Sequence, residues 1–246
     1  MSDLELIPAP SPNFDDRPEG VGIKYLILHY TGMESGEAAL QRLRDSDAEV
    51  SAHYMIEEDG RIFDLVDDEK RAWHAGASFW AGDAGLNASS IGIEIVNPGH
   101  AHGYRGFPQG QVGSLTRLCG RLIHRYGIQP QHVLGHSDIA PERKWYDPGE
   151  LFPWAQLAQS GVGVWPDPQD EDIEQAKTWS LDEYVAACRS YGYDPEIGYE
   201  FVLRAFERHF APELILGTSQ DEMIAKSRLA CLIRTFCGTK EPRKAG

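Results

Sequence analysis

Three apolar stretches in the first two thirds of the chain have the length and composition of buried strands. They are residues 22–30, 90–96 and 132–135, and each is bounded by polar or Gly-containing sequence. The run at 22–30 is typical of a buried strand, and the other two are also predicted to be strands. Residues 54–66 add a predicted hairpin, because an Asp-Gly pair at 59–60 supplies a turn between two apolar runs.

Apolar positions at helical spacing predict helices over residues 35–48 and 111–126. In the second of these, Leu115, Leu118 and Leu122 fall on one helical face. Strands therefore alternate with helices along the chain. This alternation predicts an α/β fold, with a mixed β-sheet and helices packed on it.

The pattern changes near residue 162, where a run rich in Gly, Pro and acidic residues is typical of a linker. Three helical patterns follow, and two of them open with a capping-box motif, at residues 180–183 (SLDE) and 219–222 (SQDE). We therefore expect a small three-helix bundle behind the main domain. The predicted segments are an irregular N-terminal arm at 1–20, the main α/β domain at 21–165, a linker at 166–178 and the three-helix bundle at 179–240.

Composition excludes several classes of partner. The chain has 246 residues, 41% of them hydrophobic, and a formal net charge of −15. Nucleic acids and anionic membranes require clustered Lys and Arg, so we expect neither as a partner. No stretch is apolar for long enough to cross a bilayer, and the N-terminus lacks signal-peptide features. We expect a cytoplasmic protein, or a periplasmic one if a leader has been removed; the sequence leaves the oligomeric state open.

The cysteines are scattered and lack the close pairing of a Cys-based zinc knuckle. Three of them fall on predicted helices. We expect all four to be buried free thiols in a reducing compartment. They are Cys119, Cys188, Cys231 and Cys237.

Two strand ends and one loop supply a candidate metal site. His136 follows the strand at 132–135, and a polar loop then ends at Asp147. His29 closes the strand at 22–30. Two imidazoles and one carboxylate form the ligand set of a catalytic zinc ion that keeps a fourth position open. The alternative for a histidine at a strand end is a purely structural, hydrogen-bonded role.

Two further side chains could supply acid–base and electrostatic chemistry. The period of two in residues 90–96 puts Glu94 on the face of Gly92, opposite the isoleucines, and Gly92 leaves room there for a bound group. A charge in mid-strand is costly unless it is paired or faces a cleft, so Glu94 is either a general base or a salt-bridged residue. Lys144 is either an oxyanion-stabilising group or a solvated loop lysine.

Several motifs, taken in order along the chain, resemble those of one enzyme family. The motifs are residues 28–31 (LHYT), 51–54 (SAHY), 72–76 (AWHAG), 86–97 (LNASSIGIEIVN), 135–141 (GHSDIAP) and 147–149 (DPG). Over residues 20–165 the chain is similar to the zinc-dependent N-acetylmuramoyl-L-alanine amidases of the AmpD type (type 2 amidases). These enzymes are akin to peptidoglycan recognition proteins.

The resemblance implies a reaction and a role for each matching residue. The reaction is hydrolysis of the amide between N-acetylmuramic acid and the L-alanine of the stem peptide, in peptidoglycan or in muropeptides. The resemblance implies that Zn²⁺ is bound by His29, His136 and Asp147. It also implies an acid/base role for Glu94 and polarisation of the carbonyl by Lys144. The residues that we expect to contact substrate are His53, Trp73, His74 and Asn97.

One departure from the family concerns the loop before the ligand aspartate. Family members usually have one residue between the lysine and the aspartate, whereas Trp145 and Tyr146 both intervene between Lys144 and Asp147 here. We expect this loop either to bulge or to displace Lys144. The predicted bundle at 179–240 is similar to three-helix peptidoglycan-binding modules; the competing interpretation is a packing domain that caps the enzyme.

Two other functions stay open at this stage. A non-catalytic peptidoglycan-recognition module would usually lack one or more zinc ligands, and all three are present here. A zinc peptidase would cleave a stem peptide that carries no sugar. The motifs favour a zinc amidase over both.

Overall fold

A computed structural model describes residues 4–238 of the chain. Its strands are β1 (Leu6–Pro8), β2 (Phe14–Asp16), β3 (Tyr25–Tyr30), β4 (Tyr54–Ile56), β5 (Ile62–Asp64), β6 (Lys70–Ala72), β7 (Phe79–Trp80), β8 (Asp83–Ala84), β9 (Ser90–Ile95) and β10 (Val133–Gly135). Six of them form a central sheet in the order β1-β5-β4-β9-β3-β10. Adjacent strands of this sheet run parallel except in the β4–β5 hairpin, so the predicted mixed sheet is confirmed.

Helices pack on the sheet, which confirms the predicted α/β class. They are α1 (Gly36–Arg44), α2 (Gln109–Tyr126), α3 (His136–Ile139), α4 (Trp154–Gln159), α5 (Asp170–Thr178), α6 (Leu181–Tyr191), α7 (Tyr199–Phe210), α8 (Pro212–Ile215) and α9 (Met223–Leu232).

The two faces of the sheet bury different helices. Side chains alternate along β3, with Leu26 and Leu28 on one face and Tyr25 and Ile27 on the other. The first pair shares a buried cluster with apolar residues of α2, and the second pair shares one with residues of α6, α7 and α9. By the same alternation, His29 projects from the face that the C-terminal helices cover.

The N-terminal arm contains two strands, so the prediction of an irregular segment was wrong. β1 pairs in parallel with β5, and β2 pairs antiparallel with β6. Lys70 and Arg71 of β6 form ion pairs of 2.5 Å with Asp16 and Asp15 of β2. The pairing partners lie more than fifty residues further along the chain, which is why the local pattern did not reveal them. Residues 1–3 of the predicted arm lie outside the described residues.

The predicted linker at 166–178 contains helix α5, which its composition did not indicate. At the start of α5, the Asp172 carboxylate accepts the backbone N–H of Gln169 at 2.8 Å. Arg234 donates to both oxygens of the same carboxylate, each at 2.8 Å. Arg234, near the end of the described residues, therefore stabilises a helix in an acidic run whose composition is typical of a linker.

The three predicted C-terminal helices are present as α6, α7 and α9. The first capping box forms as predicted: Ser180 Oγ accepts the N–H of Glu183, and the Glu183 carboxylate accepts the N–H of Ser180. The second box does not form, because α9 begins only at Met223 and Ser219 accepts the N–H of Asp221 instead.

These helices are not set apart from the sheet. Phe206 of α7 and Tyr193, which follows α6, are fully buried in the same cluster as Tyr25 and Ile27 of β3. The extent of the predicted domains stays a prediction, and residues 239–240 of the predicted bundle lie outside the described residues.

Three of the four cysteines, Cys119, Cys188 and Cys231, are buried free thiols as predicted. Cys237 is exposed, because it lies in the last helical turn beyond α9. Within residues 4–238, no helix has both the length and the apolar character that crossing a bilayer requires.

The shared core predicts that the chain unfolds as one unit. Phe206→Ala removes a fully buried ring and is expected to lower the free energy of unfolding by about 3–5 kcal/mol. The matched control is Tyr199→Ala at an exposed position of the same helix, with an expected change of about 0.5 kcal/mol or less. Calorimetry should show a single transition in each protein. Two transitions, of which Phe206→Ala shifts only one, would contradict a shared core.

Candidate active site

The carboxyl ends of three neighbouring parallel strands bring the predicted site residues together. His29 of β3 is directly paired with Glu94 of β9, and β10 lies on the other side of β3. His136 follows β10 and opens α3. Ligand sites are typical of this edge of an open parallel sheet, because loops diverge there and leave a crevice.

His29, His136 and Asp147 form the one three-residue cluster capable of holding a metal ion among residues 4–238. The two histidine Nδ1 atoms lie 2.9 Å apart. Asp147 Oδ2 lies 3.1 Å from His136 Nδ1 and 3.4 Å from His29 Nδ1. Ligand atoms about 2.0–2.1 Å from a tetrahedral zinc ion lie about 3.3 Å from one another. The triangle therefore has the size that such an ion requires.

Asp147 presents one carboxylate oxygen to this point because the other is occupied. Its Oδ1 accepts the backbone N–H of Tyr30 at 2.7 Å, which leaves Oδ2 facing the two imidazoles. The backbone of Asp147 is fixed as well, since its carbonyl accepts the N–H of Ser137 at 2.7 Å. The last residue of β3 and the first turn of α3 therefore both hold this loop.

A chain of hydrogen bonds sets the tautomer of His29. The Ser90 hydroxyl donates to the carbonyl of Leu86 at 2.6 Å, so it accepts from His74 Nε2 at 3.1 Å. His74 Nδ1 is then an acceptor, and it lies 3.1 Å from His29 Nε2, which must carry a proton. His29 Nδ1 is left with a lone pair directed at the cluster.

His136 is held in the same tautomer by the backbone. Its Nε2 lies 3.2 Å from the carbonyl of Ala75 and donates to it. Arg143 Nη2 lies 3.3 Å from the same nitrogen, but it donates its two protons to the carbonyls of Ala75 at 2.6 Å and Ala77 at 3.0 Å. The Ala75 carbonyl has two lone pairs for its two donors. His136 Nδ1 therefore also has a free lone pair. All three ligand atoms direct lone pairs at one point, which is the arrangement that a cation stabilises.

The protonation states of His136 and Asp147 favour the binding of a cation. Burial, together with the neighbouring His29, lowers the pKa of His136 to about 4, so this imidazole is neutral at neutral pH. Burial alone would raise the pKa of Asp147, but hydrogen bonds with His136 and His29 outweigh it, and the pKa lies below its ordinary value. The cluster therefore contains an ionised carboxylate.

Glu94 faces the same cleft, and its Oε2 is buried without a hydrogen-bond partner among the described residues. Burial raises the pKa of Glu94 to about 7, with His29 and Lys144 lowering it and Asp147 raising it. The isoleucines of β9 are buried in the opposite cluster, as the period of two predicted. The space beside Gly92 is filled by the His74 ring, where an added Cβ would come within 2.3 Å, so it does not hold a ligand.

Lys144 lines the cleft although two residues separate it from Asp147. The loop absorbs the extra residue in a turn: the N–H of Lys144 donates to Ala140 at 2.8 Å, and the N–H of Asp147 donates to Lys144 at 3.1 Å.

The residues predicted to contact substrate divide into two pairs. The cleft has a volume of about 430 Å³, and both Trp73 and His74 line it. His53 is fully buried, and its Nδ1 accepts the N–H of Gly92 within the sheet. Asn97 is also buried and donates to the carbonyl of Arg105. The structure places His53 and Asn97 in the framework, outside the cleft lining.

Sequence reasoning missed the parts of the site that act through other residues. Ser90 shares a face with Gly92 and Glu94 by the same period of two, and that signal could have identified it. The N–H of Tyr30 and the carbonyl of Ala75 are backbone groups, and a side-chain pattern contains no signal for them.

The chain is similar in sequence and in fold to proteins of one family. Residues 18–150 match the family described as N-acetylmuramoyl-L-alanine amidase. The N-acetylmuramoyl-L-alanine amidase AmiD of Escherichia coli (strain K12) is 39% identical over 225 residues, which cover 81% of this chain and 79% of AmiD. The 1,6-anhydro-N-acetylmuramyl-L-alanine amidase AmpD of Citrobacter freundii is 35% identical over 165 residues, which cover 60% of this chain and 86% of AmpD.

A solved structure of E. coli AmiD is similar in fold over nearly the whole chain. That protein is bound to the substrate anhydro-N-acetylmuramic acid-L-Ala-D-gamma-Glu-L-Lys, and the match has a TM-score of 0.76 at 32% identity. It covers 92% of this chain and 98% of the AmiD chain. The family match and the extent of these similarities show that the chain belongs to the N-acetylmuramoyl-L-alanine amidase family.

Proposed function

We propose that this family member is a zinc-dependent amidase that hydrolyses the bond between N-acetylmuramic acid and L-alanine in muropeptides. The observation that carries the proposal is the convergence of three lone pairs, from His29, His136 and Asp147, in the cleft that Glu94 also lines. Among the described residues, Glu94 Oε2 has no hydrogen-bond partner. A recognition module that lacks catalysis has no need for this combination.

The donor set favours zinc over harder cations. Two imidazole nitrogens and one carboxylate oxygen are typical ligands of catalytic Zn²⁺, whereas Mg²⁺ and Ca²⁺ prefer oxygen ligands throughout. His29, His136 and Asp147 would hold the ion. When bound, zinc supplies Lewis-acid activation of water and of the scissile carbonyl.

Glu94 would act first as a general base and then as a general acid. It would take a proton from the attacking water as the new C–O bond forms, and return it to the amine of L-alanine as the C–N bond breaks. A pKa raised to about 7 suits both transfers near neutral pH. Its Oε2 has no competing hydrogen bond within the described protein.

Lys144 would stabilise the negative charge that develops on the carbonyl oxygen. Lys144 lines the same cleft as Glu94, so a substrate amide there could contact both side chains. Trp73, also in the lining, offers an aromatic face for a sugar ring or a peptide. We propose a soluble anhydro-muropeptide as the substrate class, because the relative of similar fold is bound to such a molecule.

The first prediction concerns products and metal. Mass spectrometry of the reaction with an anhydro-muramyl tripeptide should show separated sugar and peptide, no turnover with chelator and recovery with Zn²⁺. His136→Ala should neither bind zinc in calorimetry nor turn over. The control is His124→Ala, an exposed imidazole on α2. Cleavage of a sugar-free stem peptide would indicate a peptidase, and cleavage that chelator does not affect would refute the zinc proposal.

The second prediction separates catalysis from stability at Glu94. Glu94→Gln should bind zinc normally but lose about 10²–10⁴-fold in kcat. Because the folded pKa is raised from 4.5 to about 7, the ionised form is disfavoured in the fold, and stability is lost as pH rises through this range. The metal-free variant should therefore exceed the wild type in melting temperature at pH 8 and match it near pH 4.5. Glu142→Gln, at an exposed site in the loop before Asp147, is the control. Normal turnover in Glu94→Gln would remove Glu94 from the mechanism.

The third prediction tests the hydrogen-bond chain behind His29. Ser90→Ala removes the acceptor of His74 Nε2, so the His29 tautomer is no longer fixed. Zinc affinity is expected to fall about 10–100-fold. Ser89→Ala, at the neighbouring position outside this chain of hydrogen bonds, is the control. Equal zinc affinities in the two variants, measured by competition with a chelating dye, would contradict the assigned tautomer.

A further inference from the structure

Arg208 is a buried cation that joins the C-terminal helices to the catalytic loop. It lies on α7, and only 6% of its side chain is exposed. Its guanidinium donates to the carbonyl of Trp145 and, at 3.1 Å, to Glu150 Oε2. It also lies 5.2 Å from the centre of the Tyr146 ring. All three contacts fall on one short segment, residues 145–150.

This segment contains the extra residue of the loop. Trp145 and Tyr146 are the two residues between Lys144 and Asp147, and Arg208 contacts both. Trp145 is 47% exposed, so burial of its side chain contributes little to fixing the turn. The planar guanidinium fork, which can bind a carbonyl and a carboxylate at once, supplies the constraint instead.

A second layer of contacts makes the Arg208 site rigid. Glu150 also pairs with His100 Nε2 at 3.1 Å. The His100 ring stacks on Tyr104 and on Tyr146, with centroid distances of 4.3 and 4.4 Å. The Tyr104 hydroxyl in turn donates to the carbonyl of Pro148 at 3.0 Å. The carboxylate that Arg208 binds is therefore itself fixed.

The next residue of α7 contacts the other ligand segment. His209 Nδ1 lies 2.8 Å from Asp138 Oδ2, and this carboxylate also accepts the N–H of Gly135 at 2.7 Å. Gly135 and Asp138 flank His136. One turn of α7 therefore touches the segments that carry both His136 and Asp147.

We propose that Arg208 is a positioning residue that fixes the 144–150 segment and thereby keeps Lys144 at the cleft. The C-terminal helices are then part of the active-site framework, in addition to any affinity for the wall. The catalytic consequence rests on the function proposed above for Lys144, whereas the effect on loop order does not.

The chain offers a matched control for this arginine. Arg228 has the same kinds of contact: its guanidinium binds Glu213 at 2.8 Å and the carbonyl of Phe210 at 2.7 Å, and it lies 4.8 Å from the Trp165 ring. It is similarly protected, with 17% of its side chain exposed, and it does not line the cleft. Arg208→Gln and Arg228→Gln therefore remove equivalent interactions at two places.

The first readout is amide hydrogen exchange in the metal-free full chain. Arg208→Gln should speed exchange in the peptide that contains Lys144 and Asp147 about tenfold or more, because their amides bond within this turn. Arg228→Gln should leave that peptide unchanged. Arg208→Lys, which keeps the charge but lacks the planar fork, should give an intermediate rate. Equal exchange in the Gln variants would overturn the proposal.

The second readout is a double-mutant cycle with zinc at saturation. Arg208→Gln should lower kcat about tenfold or more and change KM less than about threefold, because it disturbs a group used in the transition state. In a Lys144→Met background, Arg208→Gln should lower kcat no further, because Arg208 is proposed to affect catalysis only by positioning Lys144. Additive losses would overturn the proposal. Full activity of Lys144→Met alone would refute the proposed role of Lys144, while hydrogen exchange would still decide whether Arg208 orders the loop.

Discussion

The structure depends on one constraint: three lone pairs, from two imidazoles and one carboxylate, must point at a single place. Each ligand atom is free only because the other polar atom of the same side chain is engaged elsewhere. His29 uses Nε2 on His74, His136 uses Nε2 on the Ala75 carbonyl, and Asp147 uses Oδ1 on the N–H of Tyr30. The binding site is therefore specified as much by these partners as by the ligands.

The constraint explains why the site occupies the carboxyl edge of the sheet. Only there do β3, β9 and β10 end side by side, so that residues more than a hundred positions apart in sequence meet within 3 Å. At the same edge the Glu94 carboxylate faces the cleft, and its Oε2 is buried without a hydrogen-bond partner among the described residues. Burial disfavours the ionised form of this carboxylate and so raises its pKa. A raised pKa suits proton transfer near neutral pH.

The sequence predicted the strand ends and the face of Glu94, because both follow from short-range periodicity. It did not predict the helix over the linker, since Asp172 finds its partner Arg234 about sixty residues later. It also placed His53 and Asn97 among the substrate contacts, because a polar residue in a motif can contact either the substrate or other residues of the framework. Which of these they serve depends on tertiary contacts. For the same reason the sequence did not identify Ser90 and Arg208, whose proposed roles depend on the residues that they contact.

The most direct test of the convergent lone pairs is a long-range ¹H–¹⁵N correlation spectrum of the histidine rings, recorded with and without one equivalent of Zn²⁺. The structure predicts that His29 and His136 both coordinate through Nδ1 and keep a proton on Nε2, with His74 protonated on Nε2. Coordination through Nε2, or a zinc-dependent change at only one of the two ligand histidines, would contradict the account.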